Sequence, residues 1–458
     1  MRTVLALSTS SLFVLLAVGA CVGDDPSAES SSSSSSSTSS SGGSSGNASS
    51  SGATSSGTPS CAGDTVDACG DACTKCTAPA GGTVACTARK CAPSCGTQTL
   101  CGDACVDVQT STASCGKCGH SCGAGSCVAG ACQAITVATF KSVKGIAASP
   151  KGVVIAADTD TESVVTLCTK PEGCTASTSL TTIKSGISQL NSVTVHTSGT
   201  TSTAFWDGNE GDSEVVYSCP VDGCPAGLAT PVDNVVNDAI GRVVAGPTSV
   251  VWTRDQGYYG PYSSKCTPPA CTTVDPVRAK SATGPYYNDV SREMTVPSTI
   301  FSVGATKTIW ATGSLYNDNN KQLRYCTFGS ACTTPAEISR GQFYGVRALT
   351  YFNGNHYVAM GNSTNPTGDV IASISDATPS TPSPLVGDSM GIKAIAVDAS
   401  GIYWVNGTTG RVARCATLTG CMGSGETLAT GEAGVKDVAV DDKYVYWATE
   451  TAVRKVAK

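Results

Sequence analysis

Histidine is scarce in this sequence: three occur in 458 residues, His120, His196 and His356, and they lie far apart. Charge is sparse too, with Asp, Glu, Lys and Arg making up 14 % of the chain and leaving a net −6 at pH 7. So few histidines leave mixed Cys/His zinc sites poorly supplied. A mildly acidic chain offers no broad basic surface, so nucleic acid is not an expected partner. No nucleophile elbow, P-loop, dinucleotide fingerprint or HExxH occurs. These absences favour a binding or scaffold role over an enzyme, with no catalytic residue, cofactor or metal expected.

Cysteine, by contrast, is abundant: there are 25. In the cytosol so many thiols would suggest metal sites, whereas an exported chain oxidises them to disulfides. Export is written at the N-terminus, where Arg2 precedes the apolar stretch Leu12 to Val18, which is too short to span a bilayer. Val18-Gly19-Ala20-Cys21 follows directly and resembles the bacterial lipobox. That resemblance implies a signal peptide over 1–20, cleavage before Cys21, lipidation of its sulfur with palmitate-type acyl chains, and a membrane as partner through that lipid. Val22 stands where an aspartate would retain such a protein at the inner membrane, which implies the outer membrane. Removing Cys21 from the count leaves an even 24, as a fully paired ectodomain requires.

Residues 21–60 continue as a low-complexity tether, with 19 serines among the 31 residues from Ser30 to Ser60. Such a segment has nothing to bury and is expected to stay disordered. The next region, 61–132, holds 14 cysteines in 72 residues and few large apolar side chains, so cross-links rather than a core must supply its stability. Its second half runs Cys101-Gly-Asp-Ala-Cys105, Cys115-Gly-Lys-Cys118-Gly-His-Ser-Cys122, Cys127 and Gly130-Ala-Cys132. This order resembles the Cys-rich repeat of stigma-specific-protein-like domains, a family defined by its cysteines.

Residues 133–458 read as an all-β repeat array. Ala394-Ile-Ala-Val-Asp398, a short turn and Ile402-Tyr403-Trp404-Val-Asn406 form one copy; Val438-Ala-Val-Asp441 and Val445-Tyr446-Trp447-Ala-Thr449 form the next. Alternation, turn and aromatic alternation mark a hairpin. All five tryptophans, Trp206, Trp252, Trp310, Trp404 and Trp447, fall in its second run, and Ile155 and Val358 take that slot in two further copies. A period of roughly 40 to 50 residues with four short strands each predicts propeller blades. The copies resemble the YWTD-type β-propeller repeats. That family has six blades, while seven slots are counted here, so the number stays open between seven and six. Ala134 to Thr139 matches the outer strand of a blade and is expected to complete the last one, closing the ring. Five blades carry a close cysteine pair: Cys168/Cys174, Cys219/Cys224, Cys266/Cys271, Cys326/Cys332 and Cys415/Cys421. Each is expected to staple the turn from third to fourth strand, at about 2 kcal/mol.

Little else points to chemistry. His196 and His356 read as strand residues with local partners. The acidic stretches Asp158-Thr-Asp160-Thr-Glu162 and Asp207-Gly-Asn209-Glu-Gly-Asp212 suit polar turns better than calcium. Tyrosine is the uneven feature: Tyr258, Tyr259 and Tyr262 in blade three, Tyr286 and Tyr287 in the connection to blade four, and Tyr316 beyond it. On a propeller these loop classes open on one face, where tyrosine suits a protein or polysaccharide ligand. A displayed binding propeller leads, ahead of a structural envelope component and of a lyase or lactonase on a propeller scaffold.

Overall fold

The computed structural model describes residues 65–169, 180–210, 213–224, 229–236, 239–255, 261–268, 271, 275–276, 300–312, 322–327, 336–338, 343–362, 365–421, 423 and 425–458. Cys21 and the Ser-rich tether lie outside them. The described part is all-β, a β-propeller of seven blades preceded by a disulfide-rich segment, and no α-helix occurs among the described residues.

Each blade is a four-stranded antiparallel sheet. Blade one runs Ser142–Ser149, Gly152–Asp158, Ser163–Thr169 and Leu180–Ile187 from inside to outside. The innermost strands of blades two to seven are Val193–Ser198, Ala239–Ala245, Phe301–Val303, Phe343–Phe352, Ile392–Asp398 and Asp437–Val440. Each lies beside the innermost strand of the next blade, and blade seven's lies beside blade one's. Ile135–Thr139 supplies the fourth strand of blade seven, with Val453 opposite Ala138 and Arg454 opposite Thr136. The ring is thus closed by the two ends of the propeller segment, which leaves no open edge between first and last blades.

The seven slots coincide in space as well as in sequence. Ile155, Trp206, Trp252, Trp310, Val358, Trp404 and Trp447 all lie on second strands, paired with Ile146, Val193, Val243, Phe301, Leu349, Ile395 and Val438. All seven are buried. Burying a large side chain at this position in every repeat gives each blade a face to pack on its neighbour. Two indoles also reach across: Trp252 Nε1 donates to Asp233 of blade two at 2.8 Å, and Trp404 Nε1 donates to Asp388 of blade five at 2.5 Å.

Innermost strands have a free hydrogen-bonding edge, and buried backbone groups must be paired. Neighbouring blades supply the partners. Val243 N donates to Ser192 Oγ at 3.1 Å, Ile146 N to Asp437 Oδ2 at 3.0 Å, and Ile392 N to Asp369 Oδ2 at 2.9 Å.

The cysteine-rich segment is built from short hairpins held by Cys69–Cys86, Cys76–Cys91, Cys95–Cys105, Cys101–Cys118, Cys115–Cys127 and Cys122–Cys132. It belongs to one compact unit with the propeller, Cys61–Lys458. Cys115, Cys122, Cys127 and Cys132 share a core with Val137, Tyr444 and Val445 of blade seven. His120 lies at the seam, with Nδ1 2.7 Å from the Cys115 carbonyl oxygen and Nε2 2.5 Å from that of Lys458. The propeller staples Cys219–Cys224, Cys266–Cys271 and Cys415–Cys421 each leave the end of a third strand. Cys168 and Cys326 are disulfide-bonded as well; Cys174 and Cys332 lie outside the described residues.

Candidate functional site at the channel mouth

Strand direction divides the ring into two faces. Innermost strands begin on the upper face, where the turns from second to third strand and the connections between blades also lie. The lower face carries the turns from first to second strand, and there the cysteine-rich segment packs, through His120 on Lys458 and Gly123 beside Tyr444. The upper face is therefore the opposite one.

On the upper face the innermost strands repeat a short sequence. Blade one has Val143-Lys144-Gly-Ile146, blade five Val346-Arg347-Ala-Leu349, blade six Ile392-Lys393-Ala-Ile395 and blade seven Val435-Lys436-Asp-Val438. The leading apolar residue is buried each time. In blades one, five and six the basic residue is the extra residue of a β-bulge, between Val143 and Gly145, Val346 and Ala348, and Ile392 and Ala394. Blade three has the same irregularity between Ile240 and Val243, and Arg242 lies within it. A bulge twists the strand and re-aims a side chain, and bulges concentrate at barrel rims and sites. Five blades thus bring a cation to the mouth of the channel, and the sequence reading did not pick out this recurrent apolar-basic-x-apolar signal.

The cations meet carboxylates. Lys144 Nζ lies 2.8 Å from Asp158, Arg347 Nε 2.8 Å from Asp369, and Lys436 Nζ 3.0 Å from Glu450. Lys393 is exposed and has no ion pair among the described residues; its stem lies over the Gly407 backbone. Burial would raise the Asp158 carboxyl, but hydrogen bonds from Lys144 and Ser163 outweigh it and hold Asp158 below the ordinary range. In blade two an amide replaces the cation: Asn191 Nδ2 donates to Asp207 Oδ2 at 2.8 Å, and Ser192 N and Oγ donate to Oδ1 at 2.8 and 2.6 Å. Without a cation beside it, burial pushes the Asp207 carboxyl up to about 6, against the pull of those donors. Burial likewise raises Asp437, with Arg242 and the Ile146 and Val438 amides pulling the other way.

A cleft of about 520 Å³ opens beside this ring between blades one and two, lined by Lys144, Asp158, Thr161, Glu162, Gln189 and Asn191 among others. Its walls offer hydroxyl, amide, carboxylate and ammonium groups, a set suited to a hydroxyl-rich ligand. The turn at Asp158–Glu162 closes on itself, with Thr159 N donating to Glu162 O at 2.8 Å, and Asp158 is engaged by Lys144 and Ser163.

One cluster has the hydrogen-bond order of a nucleophilic triad. Ser302 Oγ donates to His356 Nδ1 at 2.7 Å, and His356 Nε2 donates to Asp376 Oδ1 at 3.0 Å. All three are buried, with Ser302 1 % exposed, so a substrate has no access to the oxygen. Burial holds His356 below its ordinary value against Asp376. Asp376 also accepts from Thr306 N and Lys307 N at 2.8 and 2.9 Å; burial would raise its carboxyl, but these bonds and His356 together lower it. Gly304 is required here, because a Cβ would collide with Asp376 and His356. The cluster fastens blade four to blade five. Its members are 54 and 20 residues apart, and no sequence signal joins them. The partner of His196 is not local either: its Nε2 lies 3.3 Å from the carbonyl oxygen of Pro247, 51 residues on in blade three.

Tyr258, Tyr259, Tyr286, Tyr287 and Tyr316 lie outside the described residues, and of Tyr262 the backbone alone is described, opposite Arg254.

No family model matches this chain. No curated protein matches it either. Among solved structures, it is similar to the uncharacterized protein lmo1340 of Listeria monocytogenes EGD-e, at 6 % identity over 69 % of this chain and 92 % of that one, TM-score 0.43. It is similar to a computationally designed protein at 10 % identity over 71 % of this chain and 100 % of that one, TM-score 0.40. A prolyl endopeptidase structure matches at 10 % identity over 68 % of this chain and 45 % of that one, TM-score 0.40.

Proposed function

We propose that this is an exported, lipid-anchored protein of the bacterial outer membrane whose propeller binds a ligand on its upper face. The observation that carries the binding reading is the polar cleft at the rim of the cation-bearing mouth, on the face away from the cysteine-rich segment. The disulfides, held by every described cysteine, point to an oxidising compartment. The lipobox resemblance at Cys21 supports the anchor. Catalysis is disfavoured because the Ser302–His356–Asp376 cluster is sealed from substrate.

Two experiments test this. Fractionating cells that carry Cys21→Ser, with acyl labelling of the wild type, should move the protein from membrane to soluble fraction. A membrane-bound variant and an unlabelled wild type would sink the anchor. A glycan array probed with wild type and with Gln189→Ala/Asn191→Ala should show glycan signals that the double variant loses. A wild type that bound no glycan, or a variant that kept every signal, would remove the cleft as the site.

A further inference from the structure

Resting on that reading, we propose that the ligand is an acidic polysaccharide whose carboxylates are held by the ring of cations at the channel mouth, Lys144, Arg242, Arg347, Lys393 and Lys436, while its hydroxyls lie in the cleft between blades one and two.

The cations repeat more strictly than their partners do. Lys144, Arg347, Lys393 and Lys436 occupy one position, two residues before the residue that pairs with the slot. The acids do not keep to one place: Asp158 and Glu450 come three residues after the slot, Asp369 comes from a third strand, and Lys393 has no acid among the described residues. Pairing within the blade engages three of these four cations and leaves Lys393 outside it. The cation is the more constant element, and in blades one, five and six it is the extra residue of a bulge, which re-aims a side chain.

The class of anion follows from the surroundings. Resident carboxylates at 2.8 to 3.0 Å already fit these cations, and Glu450 is 68 % exposed, free to give way to a ligand carboxylate. Asp158, Asp369 and Glu450 keep the local charge density modest, which disfavours a densely sulfated or phosphorylated polymer. Lys144 and Asn191 belong both to the ring position and to the cleft wall, so one sugar chain can touch both.

Calorimetry of the purified full chain with oligogalacturonate, neutral dextran and dextran sulfate is the test. Lys144→Gln/Lys393→Gln/Lys436→Gln removes ring charge, and Lys151→Gln/Lys307→Gln/Lys443→Gln removes the same charge from turns of the lower face. Thermal melts confirm that both variants fold. Oligogalacturonate should bind the wild type and the lower-face variant alike, and the ring variant roughly tenfold more weakly. Dextran should not compete. Equal loss in both variants would reduce the effect to net charge and overturn the proposal. Preference for dextran sulfate would overturn the carboxylate class. Binding of dextran that depends on Gln189 and Asn191 but not on the lysines would overturn the ring while keeping the cleft. If no glycan binds, both readings fall.

Discussion

The cysteine-rich segment and the propeller use one residue type in opposite ways. In the described part of the segment, the buried apolar side chains are those of Cys69, Cys76, Cys115, Cys122, Cys127 and Cys132, with Pro79 the one addition. There the disulfide replaces the core, and Val66, Leu100 and Val128 remain exposed. In the propeller the centre of each blade is Trp, Tyr, Val and Ile, and the cystines sit at strand ends. A small segment cannot bury enough apolar area to offset chain entropy, whereas a closed ring of seven sheets can. Cross-links are thus obligatory in one region and accessory in the other.

Reduction should separate the two most strongly. Six bridges of the segment, those with both cysteines among the described residues, close loops with separations of 10 to 17 residues, each contributing about 3 kcal/mol. With reductant present, hydrogen exchange should show residues 65–132 losing protection while Gly401–Asn406 and Tyr444–Ala448 keep theirs. Equal loss in both regions would erase the distinction.

A smaller effect sharpens what holds the propeller. Asp207 is buried with its carboxyl at about 6 against an ordinary 3.8. About two units at roughly 1.4 kcal/mol each amount to about 3 kcal/mol. The folded value is the raised one, so this stability is present at low pH and is lost as pH rises through 6. Asp207→Asn has no such titration, and Asn191 can flip its amide to keep the contact. From pH 4 to pH 8 the melting temperature of the variant should rise relative to the wild type by a few degrees. A constant difference across that range would remove the titration argument.

The smallest effect compares two tryptophans in one slot. Trp404 Nε1 donates to Asp388, whereas Trp206 Nε1 is buried with no hydrogen-bond partner. Both are fully buried, so replacement by Phe removes similar volume. Trp404→Phe should therefore cost about 1–2 kcal/mol more than Trp206→Phe in denaturant titration. Equal costs would mean that the bond across blades contributes nothing.

Much of the architecture was legible along the chain. The slot occupied by Ile155, the five tryptophans and Val358 counts seven blades, and the structure resolves the choice between seven and six in favour of that count. The strand before blade one was readable as the missing strand of blade seven because it resembled an outer strand. The site was far less legible. Lys144, Arg347, Lys393 and Lys436 stand in a repeated sequence context, yet each looks like an ordinary surface residue until the closed ring sets the four at the same end of their innermost strands, on a bulge in the first three. The tyrosines drew attention by their number, and they lie outside the described residues.

The division has a physical cause. Alternation and repeat spacing are local properties, set by the two-residue period of a strand and by the area each blade must bury, so the sequence by itself determined strands, blades and closure. Fourteen cysteines can pair in very many ways, and the folded segment alone selects 69 with 86 and 122 with 132. In the same way, the Ser302–His356–Asp376 fastening, the His120 seam and the ring of cations join residues from separate repeats. Their partners are chosen by distance in space, which only the tertiary structure decided.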